Sequence, residues 1–275
     1  MSIAKSTLDW HSCLATVIDK NFNSEAINEL IRGLEDLLGG RSTMFTVYPY
    51  GLKPQTTNHR VLADENPVEQ IDTYDSGAYL LDPFYRLAIK SKVEGPFTMS
   101  GITPEGFEES EYFDLFYKRL GFNDELCIIF QLKDKAFASI SLARHSTEAP
   151  FNQTEIGLVK QLFPLLKSMI EKWRQHTTKP SNANLRWQLD NALVKFGSSI
   201  LTTRECQILH LVLHGYSVKY IAEKLGNSIE TIKHHRKNIY MKLDVSSQSE
   251  LFYLFIESLK AIPVGGTEDP LTFLE

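Results

Sequence analysis

Apolar residues recur at helical spacing in the last third of the chain, and polar capping residues separate these segments. Thr202 is followed three positions later by Glu205, the capping-box pattern in which a hydroxyl and a carboxylate satisfy backbone N–H groups at a helix start. This pattern predicts a first helix over residues 202–214, which Gly215 would end. Further cap and turn residues follow at Ser217, Gly226 and Ser228. The segment therefore predicts short helices joined by turns.

The third of these predicted helices carries both apolar and basic residues. Its apolar stripe is predicted from Ile229, Ile232, Ile239 and Leu243. A helix fits the major groove of DNA, where its first turns meet base edges while nearby cations and hydroxyls hold phosphates. We expect base-edge contacts from Lys233, His234 and Lys237, and DNA-backbone contacts from Ser228, Thr231, Arg236 and Tyr240. The alternative is a solvated charged face of the kind that most surface helices have.

A second capping box, Ser247 with Glu250, predicts a fourth helix. Its apolar side is predicted from Leu251, Leu254, Phe255 and Leu259. We expect this helix to pack against the others, to mediate dimerisation, or both.

The first 180 residues mix helical and strand patterns. Helices are predicted after Ser24, over residues 82–92 and 105–121, and from Asn152 to about Trp173; strands are predicted over residues 42–50, 59–63, 124–132 and 136–144. The last two strands are separated only by a short polar turn, so we expect an antiparallel hairpin. The fold class is therefore α+β: an N-terminal α-β-α sandwich with a mainly antiparallel sheet, sensor-like in character, plus a C-terminal all-α four-helix helix-turn-helix domain.

Length and composition divide the chain into two parts. A chain of 275 residues exceeds the usual size of one domain. We predict a ligand-sensing or dimerisation domain over residues 1–175, a linker over 176–196, a DNA-binding domain over 197–262 and a tail over 263–275. For the tail, disorder and docking onto a domain or partner both stay open.

Charge and cysteine content narrow the class of protein. Residues 1–180 carry 19 basic and 24 acidic side chains, whereas residues 201–262 carry 8 and 6, so the cationic end is the one that would meet phosphate. The three cysteines are widely spaced, which argues against a disulfide framework or a zinc site. No apolar run is long enough to cross a bilayer and no signal peptide is evident, so we expect a cytoplasmic protein. We also expect neither a cofactor nor a metal.

The C-terminal segment resembles the DNA-binding domain of the LuxR family of bacterial transcription regulators. The matching positions are Leu201, Thr202, Arg204, Glu205, Leu209, Gly215, Ser217, Ile221, Ala222, Leu225, Ser228, Thr231, Lys233, His235, Asn238, Ile239, Lys242, Leu243 and Val245. The resemblance implies a four-helix module whose third helix enters the major groove. It also implies that Lys233, His234 and Lys237 occupy the base-reading positions. Departures from the family pattern are Cys206, Val218, Asn227 and Gln248.

The central stretch of the N-terminal part resembles the acyl-homoserine-lactone sensor found in one branch of that family. Tyr74 and the pair Asp82-Pro83 lie near the ligand-binding Tyr and Asp-Pro positions of the sensor. The two tryptophans of that pattern are absent: Gln70 lies near the first, and Phe97 or Met99 takes the place of the second. Glu125 replaces a glycine. A conventional acyl-homoserine lactone is therefore not expected.

Candidate ligand-binding residues are Tyr74, Asp82, Phe97 and Ser141. Asp82 also has a plain structural explanation, because Asp at an N-cap followed by Pro is a favourable helix start. Tyr74 could equally be an ordinary half-buried aromatic residue, and the direction of Ser141 on its strand is undecided. The abundant aromatic residues make an apolar pocket feasible.

Two functions follow from these patterns. The first is a homodimeric, quorum-sensing-like transcription regulator whose N-terminal domain binds a small molecule and thereby sets the spacing of two recognition helices on palindromic DNA. The alternative is a ligand-independent regulator whose N-terminal domain serves dimerisation or protein–protein interaction. We do not expect an enzyme, because no nucleophile elbow, phosphate loop, HExxH or paired-cysteine motif occurs.

Overall fold

The centre of the N-terminal part is a five-stranded antiparallel sheet. The computed structural model describes residues 3–39, 42–50, 52–60, 67–133, 135–177, 192–263 and 266–274. The strands are β1 (Ser42–Tyr48), β2 (Gln55–Arg60), β3 (Gly95–Thr98), β4 (Phe122–Gln131) and β5 (Phe137–His145), in the spatial order β2-β1-β5-β4-β3. The predicted hairpin of β4 and β5 is confirmed, with Cys127 opposite Ser141.

Helices cover both faces of this sheet. In chain order they are α1 (Ile3–Asp19), α2 (Ser24–Leu38), α3 (Pro67–Ser76), α4 (Pro83–Ser91), α5 (Met99–Ile102), α6 (Glu111–Phe113) and α7 (Gln153–Thr177). Short 3₁₀ turns span Ala78–Leu81 and Phe107–Glu109, and a π-helical turn spans Asp114–Lys118. The α+β sandwich that the sequence predicted is thereby confirmed.

Side chains along each strand alternate between the two faces of the sheet, so each strand contributes to two different cores. On β4, Ile128 and Phe130 belong to the buried cluster beneath α1, α2 and α7, whereas Cys127 and Ile129 belong to a second cluster on the opposite face. Successive strand residues point to opposite faces, so Glu125 lies on the same face as Cys127. This face carries the cavity described below.

Four helices form the C-terminal part, and local caps define their starts. They are α8 (Thr203–Leu213), α9 (Val218–Leu225), α10 (Ile229–Lys242) and α11 (Gln248–Ala261). Thr202 and Glu205 form the complete capping box that the sequence predicted. Ser217 and Ser228 accept from the backbone N–H of Tyr220 and Thr231. These caps satisfy donors that a helix start would otherwise leave unpaired.

Three sequence predictions need correction or qualification. The single helix over residues 105–121 is instead broken into a 3₁₀ turn, α6 and the π-helical turn. At the start of α11, Glu250 bonds the backbone N–H and hydroxyl of Ser246, so the second capping box is only half formed. The strand over 59–63 is described only to Arg60 as part of β2, and positions 61–63 lie outside the described residues.

The second buried cluster continues from the sheet into the C-terminal helices. It includes Ile129 of the sheet, Phe107 of the 3₁₀ turn and Ile232 of α10. The two parts also approach closely at Gly215, which has φ +76° and where an added Cβ would lie 2.9 Å from Ser110 Cβ and 3.0 Å from Phe107 Cδ2. Glycine meets both requirements there, the left-handed backbone and the lack of a side chain.

Glu205 also joins two of the C-terminal helices. Its carboxylate accepts hydrogen bonds from Lys242 Nζ of α10 at 2.7 and 2.9 Å. The bond from Lys242, together with the capping bonds from Thr202, lowers the pKa of Glu205 from its ordinary value to about 2. The ionised carboxylate is therefore the form that stabilises the fold.

We predict that Glu205→Gln lowers the free energy of unfolding by about 1 kcal/mol at neutral pH. Because the folded-state pKa is depressed, the contribution is complete above the unfolded pKa of 4.5 and is lost as the pH falls towards 2. Urea denaturation at pH 7 and pH 3 measures the difference. Glu257→Gln, in an exposed pair with Lys260, is the control and should change little. An equal loss at both pH values for Glu205→Gln would contradict the prediction.

Candidate nucleic-acid interface and ligand cavity

Helix α10 presents one continuous exposed face. The exposed residues on it are Ile229, Glu230, Lys233, His234, Lys237 and Met241. Residues four apart lie above one another on a helix, so Ile229, Lys233, Lys237 and Met241 form one row. The placement of Ile229 in the apolar stripe was therefore wrong: this side chain is 44% exposed and shares the row of the lysines. Ile232, Ile239 and Leu243 are buried, as predicted.

The side chains predicted for base edges lie on this exposed face. Lys233 Nζ donates to Glu230 at 2.8 Å, an exposed pair that water and salt screen strongly. His234 Nε2 lies 3.2 Å from Asn238 Nδ2. Lys237 is exposed as well. These contacts within the helix are weak, so the side chains can exchange them for contacts with a ligand.

The residues predicted for the DNA backbone are held by contacts within the protein. Ser228 Oγ accepts from Thr231 N at 3.0 Å and lies 2.8 Å from Thr231 Oγ1. Arg236 Nη2 donates to Tyr240 Oη at 3.0 Å and to Gln248 Oε1 at 3.3 Å, so the half-buried guanidinium joins α10 to the start of α11. Arg236 therefore has a structural role whatever else it contacts.

A cavity of about 100 Å³ lies beside the sheet, between β1, β4, β5 and the segment that contains α6 and the π-helical turn. Its lining residues are Ser42, Thr43, Met44, Ile71, Tyr74, Asp82, Tyr112, Phe116, Tyr117, Leu120, Phe122, Glu125, Ser141 and Ala143. Three of the four residues predicted for a ligand site, Tyr74, Asp82 and Ser141, line it. Phe97 does not: it lies on β3, where it pairs with Cys127.

A chain of buried hydrogen bonds ends on Asp82. The Tyr48 and Tyr74 hydroxyls lie 2.5 Å apart, and Tyr74 donates to Asp82 Oδ2 at 2.5 Å. Asp82 Oδ1 accepts from Phe84 N at 2.7 Å, so this carboxyl also caps α4. Burial raises the pKa of Asp82, and hydrogen bonds from Tyr74 and the backbone oppose that rise. Asp82 can therefore cap α4 and line a ligand site at the same time.

Glu125 is the second carboxyl on the cavity. Its Oε2 accepts from the Tyr117 hydroxyl at 2.5 Å. Burial, followed by the nearby charge of Asp82, raises the pKa of Glu125 to about 7, against hydrogen bonds from Ser141 and Tyr117. The cavity is therefore lined by two acids that disfavour each other's ionisation.

Sequence reasoning missed the aromatic wall formed by Tyr112, Phe116 and Tyr117. The periodicity of residues 105–121 indicated only that some of these rings face a core. Their approach to the cavity depends on the break in that helix, for which no sequence signal was apparent. Within the described ranges, no group of His, Cys, Asp or Glu has an arrangement that could hold a metal ion.

Comparison with known proteins identifies the family. Residues 199–255 match the family described as bacterial regulatory proteins, luxR family. The HTH-type transcriptional regulator in the exeN 3′ region of Aeromonas salmonicida is 30% identical over 197 residues, which cover 69% of this chain and all of that protein. The chain belongs to the LuxR family of transcriptional regulators. This family is not enzymatic, in agreement with the expectation from the sequence.

Other comparisons concern the two parts of this LuxR-family regulator separately. The oxygen regulatory protein NreC of Staphylococcus haemolyticus is 48% identical over 52 residues, which are 19% of this chain and 24% of that protein. The VqsR LBD domain from Pseudomonas aeruginosa has the same fold, with a TM-score of 0.53 and 22% identity over 62% of this chain and 98% of that one. Among the described helices, none is both long and apolar enough to cross a membrane.

We predict that Tyr74→Phe lowers the free energy of unfolding by about 1–3 kcal/mol, because it leaves Asp82 and Tyr48 without their shared buried partner. Thermal or urea unfolding of the full chain measures the loss. Tyr50→Phe is the control, since that ring is 53% exposed and its change should stay within about 0.5 kcal/mol. Equal effects of the two variants would show that the buried hydroxyl chain has no stabilising role.

Proposed function

We propose that this LuxR-family regulator binds double-stranded DNA through the exposed face of α10 and that a small molecule in the N-terminal cavity controls the binding. The observation that carries the proposal is the row of Lys233 and Lys237 on a helix whose start is fixed by the Ser228 cap. A rigid helix with cations on its outer face meets the geometric requirement for entry into the major groove.

The roles of the individual residues follow from their exposure. Lys233, His234 and Lys237 contact base edges, and Ser228 and Thr231 contact phosphates near the amino end of the helix. Arg236 and Tyr240 are half-buried and hydrogen-bonded to each other. They hold the helix in place, and at most one edge of these side chains is free to contact the DNA backbone. A homodimer would present two such helices to half-sites about 34 Å apart.

One segment connects the cavity to the DNA-binding helices. Tyr112 and Tyr117 line the cavity, while Ser110 packs against Gly215. Glu111 Oε2 accepts from Ser249 Oγ of α11 at 2.8 Å. A ligand that moved this segment would change the contacts of α11 and of the turn at Gly215, which supports coupling between effector and DNA affinity.

Lys233→Ala should weaken binding to the specific operator by about 1–3 kcal/mol and reduce the preference for operator over random DNA. It should leave the slope of log affinity against log salt nearly unchanged, because Lys233 is assigned to a base edge and not to a phosphate. Fluorescence anisotropy with labelled operator and random duplexes over a range of salt concentrations measures these quantities.

Lys260→Ala is the matched control for this variant. Lys260 pairs with Glu257 three residues before it, as Lys233 pairs with Glu230, but it lies on α11. Its replacement should leave the affinity and the salt slope unchanged. If the two variants weaken binding equally, the assignment of α10 as the DNA-reading helix fails.

Native mass spectrometry of the purified full chain tests the cavity and the dimer together. A bound small molecule is expected, and its addition at a hundredfold excess over its dissociation constant should stabilise the protein by about 2.7 kcal/mol. An empty protein, with no thermal shift in a metabolite screen, would instead favour a ligand-independent regulator. A monomer at micromolar concentration would refute the homodimer.

A further inference from the structure

The cavity wall contains two carboxyl groups and no cation. Asp82 and Glu125 both line it, and none of the described lining residues is Lys, Arg or His. Buried carboxylates are normally paired with a cation or bound to a metal. The charge of Arg86 on α4 favours ionisation of Asp82, although Arg86 does not line the cavity, so the unmet requirement for positive charge lies at Glu125.

A third polar group on the wall lacks a partner. The Tyr112 side chain is 4% exposed, and its hydroxyl forms no hydrogen bond with any residue that the structure describes. Asp82 already accepts from Tyr74 and from the backbone at Phe84 and Tyr85, and Glu125 accepts from Tyr117 and Ser141. A carboxylate has about four lone-pair sites, so each can still accept a further bond. Three acceptors thus line one small space.

We propose that the effector of this regulator is a small primary amine whose ammonium group donates to Asp82, Glu125 and Tyr112. The inference rests on the proposed function, in which the cavity is the effector site. An ammonium group has three N–H donors and one positive charge, which match two carboxylates and a phenol oxygen. The remaining atoms of the ligand lie against Phe116, Ile71 and Leu120.

The volume of the cavity limits the rest of the ligand. Pockets for drug-sized ligands are about 300–1,000 Å³, and a cavity of about 150 Å³ holds a benzene molecule. At about 100 Å³ this cavity is suited to a compact amine and not to a long acyl chain.

The charges around Glu125 favour the same class of ligand. The titratable groups near it are Asp82 from the start of α4, Tyr112 and Tyr117 from the segment across the cavity, and Asp124 and Cys127 on its own strand. Each of these groups, when ionised, is negative. A bound ammonium would offset the desolvation and repulsion that raise the pKa of Glu125, so binding below neutral pH would release a proton.

Isothermal titration calorimetry of the full chain with isobutylamine and isobutanol tests the proposal, since the two compact probes share shape but differ in charge. Isobutylamine should bind at least about tenfold more tightly than the alcohol. Glu125→Gln should weaken isobutylamine binding by at least about tenfold and leave binding of the alcohol unchanged. The affinity for isobutylamine should rise from pH 6 to pH 8 in the wild type and stay constant in Glu125→Gln.

Two further measurements separate the possible failures. Glu94→Gln, which changes an exposed carboxyl paired with Lys167 outside the cavity, should bind isobutylamine like the wild type. Tighter binding of isobutanol, or a neutral or anionic molecule found bound in the native protein, would overturn the amine proposal while the effector site stands. If neither probe binds and a metabolite screen finds no ligand, the amine proposal and the effector site both fail. Unchanged thermal unfolding of Glu125→Gln would show that its binding defect is not a folding defect.

Discussion

Burial of apolar surface joins the sensor-like sheet to the DNA-binding helices. One cluster of buried side chains runs from Ile129 on the sheet through Phe107 to Ile232 in α10. Each fully buried aliphatic or aromatic side chain contributes about 1.5–3 kcal/mol, so several such residues across the junction outweigh the exposed ion pairs nearby. The position of α10 therefore depends on packing that includes residues of the N-terminal part.

This arrangement imposes a condition on regulation. A ligand changes DNA affinity only if it favours one arrangement of the shared cluster over another. The segment of Tyr112 and Tyr117 joins the two sites physically, since its side chains line the cavity and its neighbours Ser110 and Glu111 contact the C-terminal helices. In the proposed effector site, charge would select the ligand, because Asp82 and Glu125 are costly to ionise together without a cation.

Local chemistry made the C-terminal helices predictable. Thr202, Ser217 and Ser228 form their caps with backbone N–H groups three residues away, so the sequence alone determines where α8, α9 and α10 begin. The α+β class followed from strand alternation and from the short turn between β4 and β5. The four-residue spacing from Ile229 to Lys233 already indicated that both side chains lie on the same exposed face of the helix. The apolar character of Ile229 suggested burial instead.

The cavity depended on tertiary packing and was only partly predictable. Asp82 and Tyr74 were suggested by resemblance, whereas Tyr112 entered the wall because residues 105–121 do not form one regular helix. Phe97 lies on the edge strand β3, opposite Cys127 of β4. The periodicity of the sequence cannot specify this strand register. Glu125 was noticed only as a departure from a pattern, and its importance emerged once its carboxyl was found beside the same space as Asp82.

Because of the π-helical turn at Asp114–Lys118, the aromatic wall of the cavity is unusually sensitive to the number of residues in this turn. A π turn holds one more residue than an α turn of the same span, and such insertions rotate the side chains on either side relative to each other. Loss of a single residue there would restore α-helical winding and carry Tyr117 roughly 100° around the axis, away from Glu125. Related regulators that differ by one residue in this turn would thus present a chemically different surface to their effectors without any substitution among the residues that line the site.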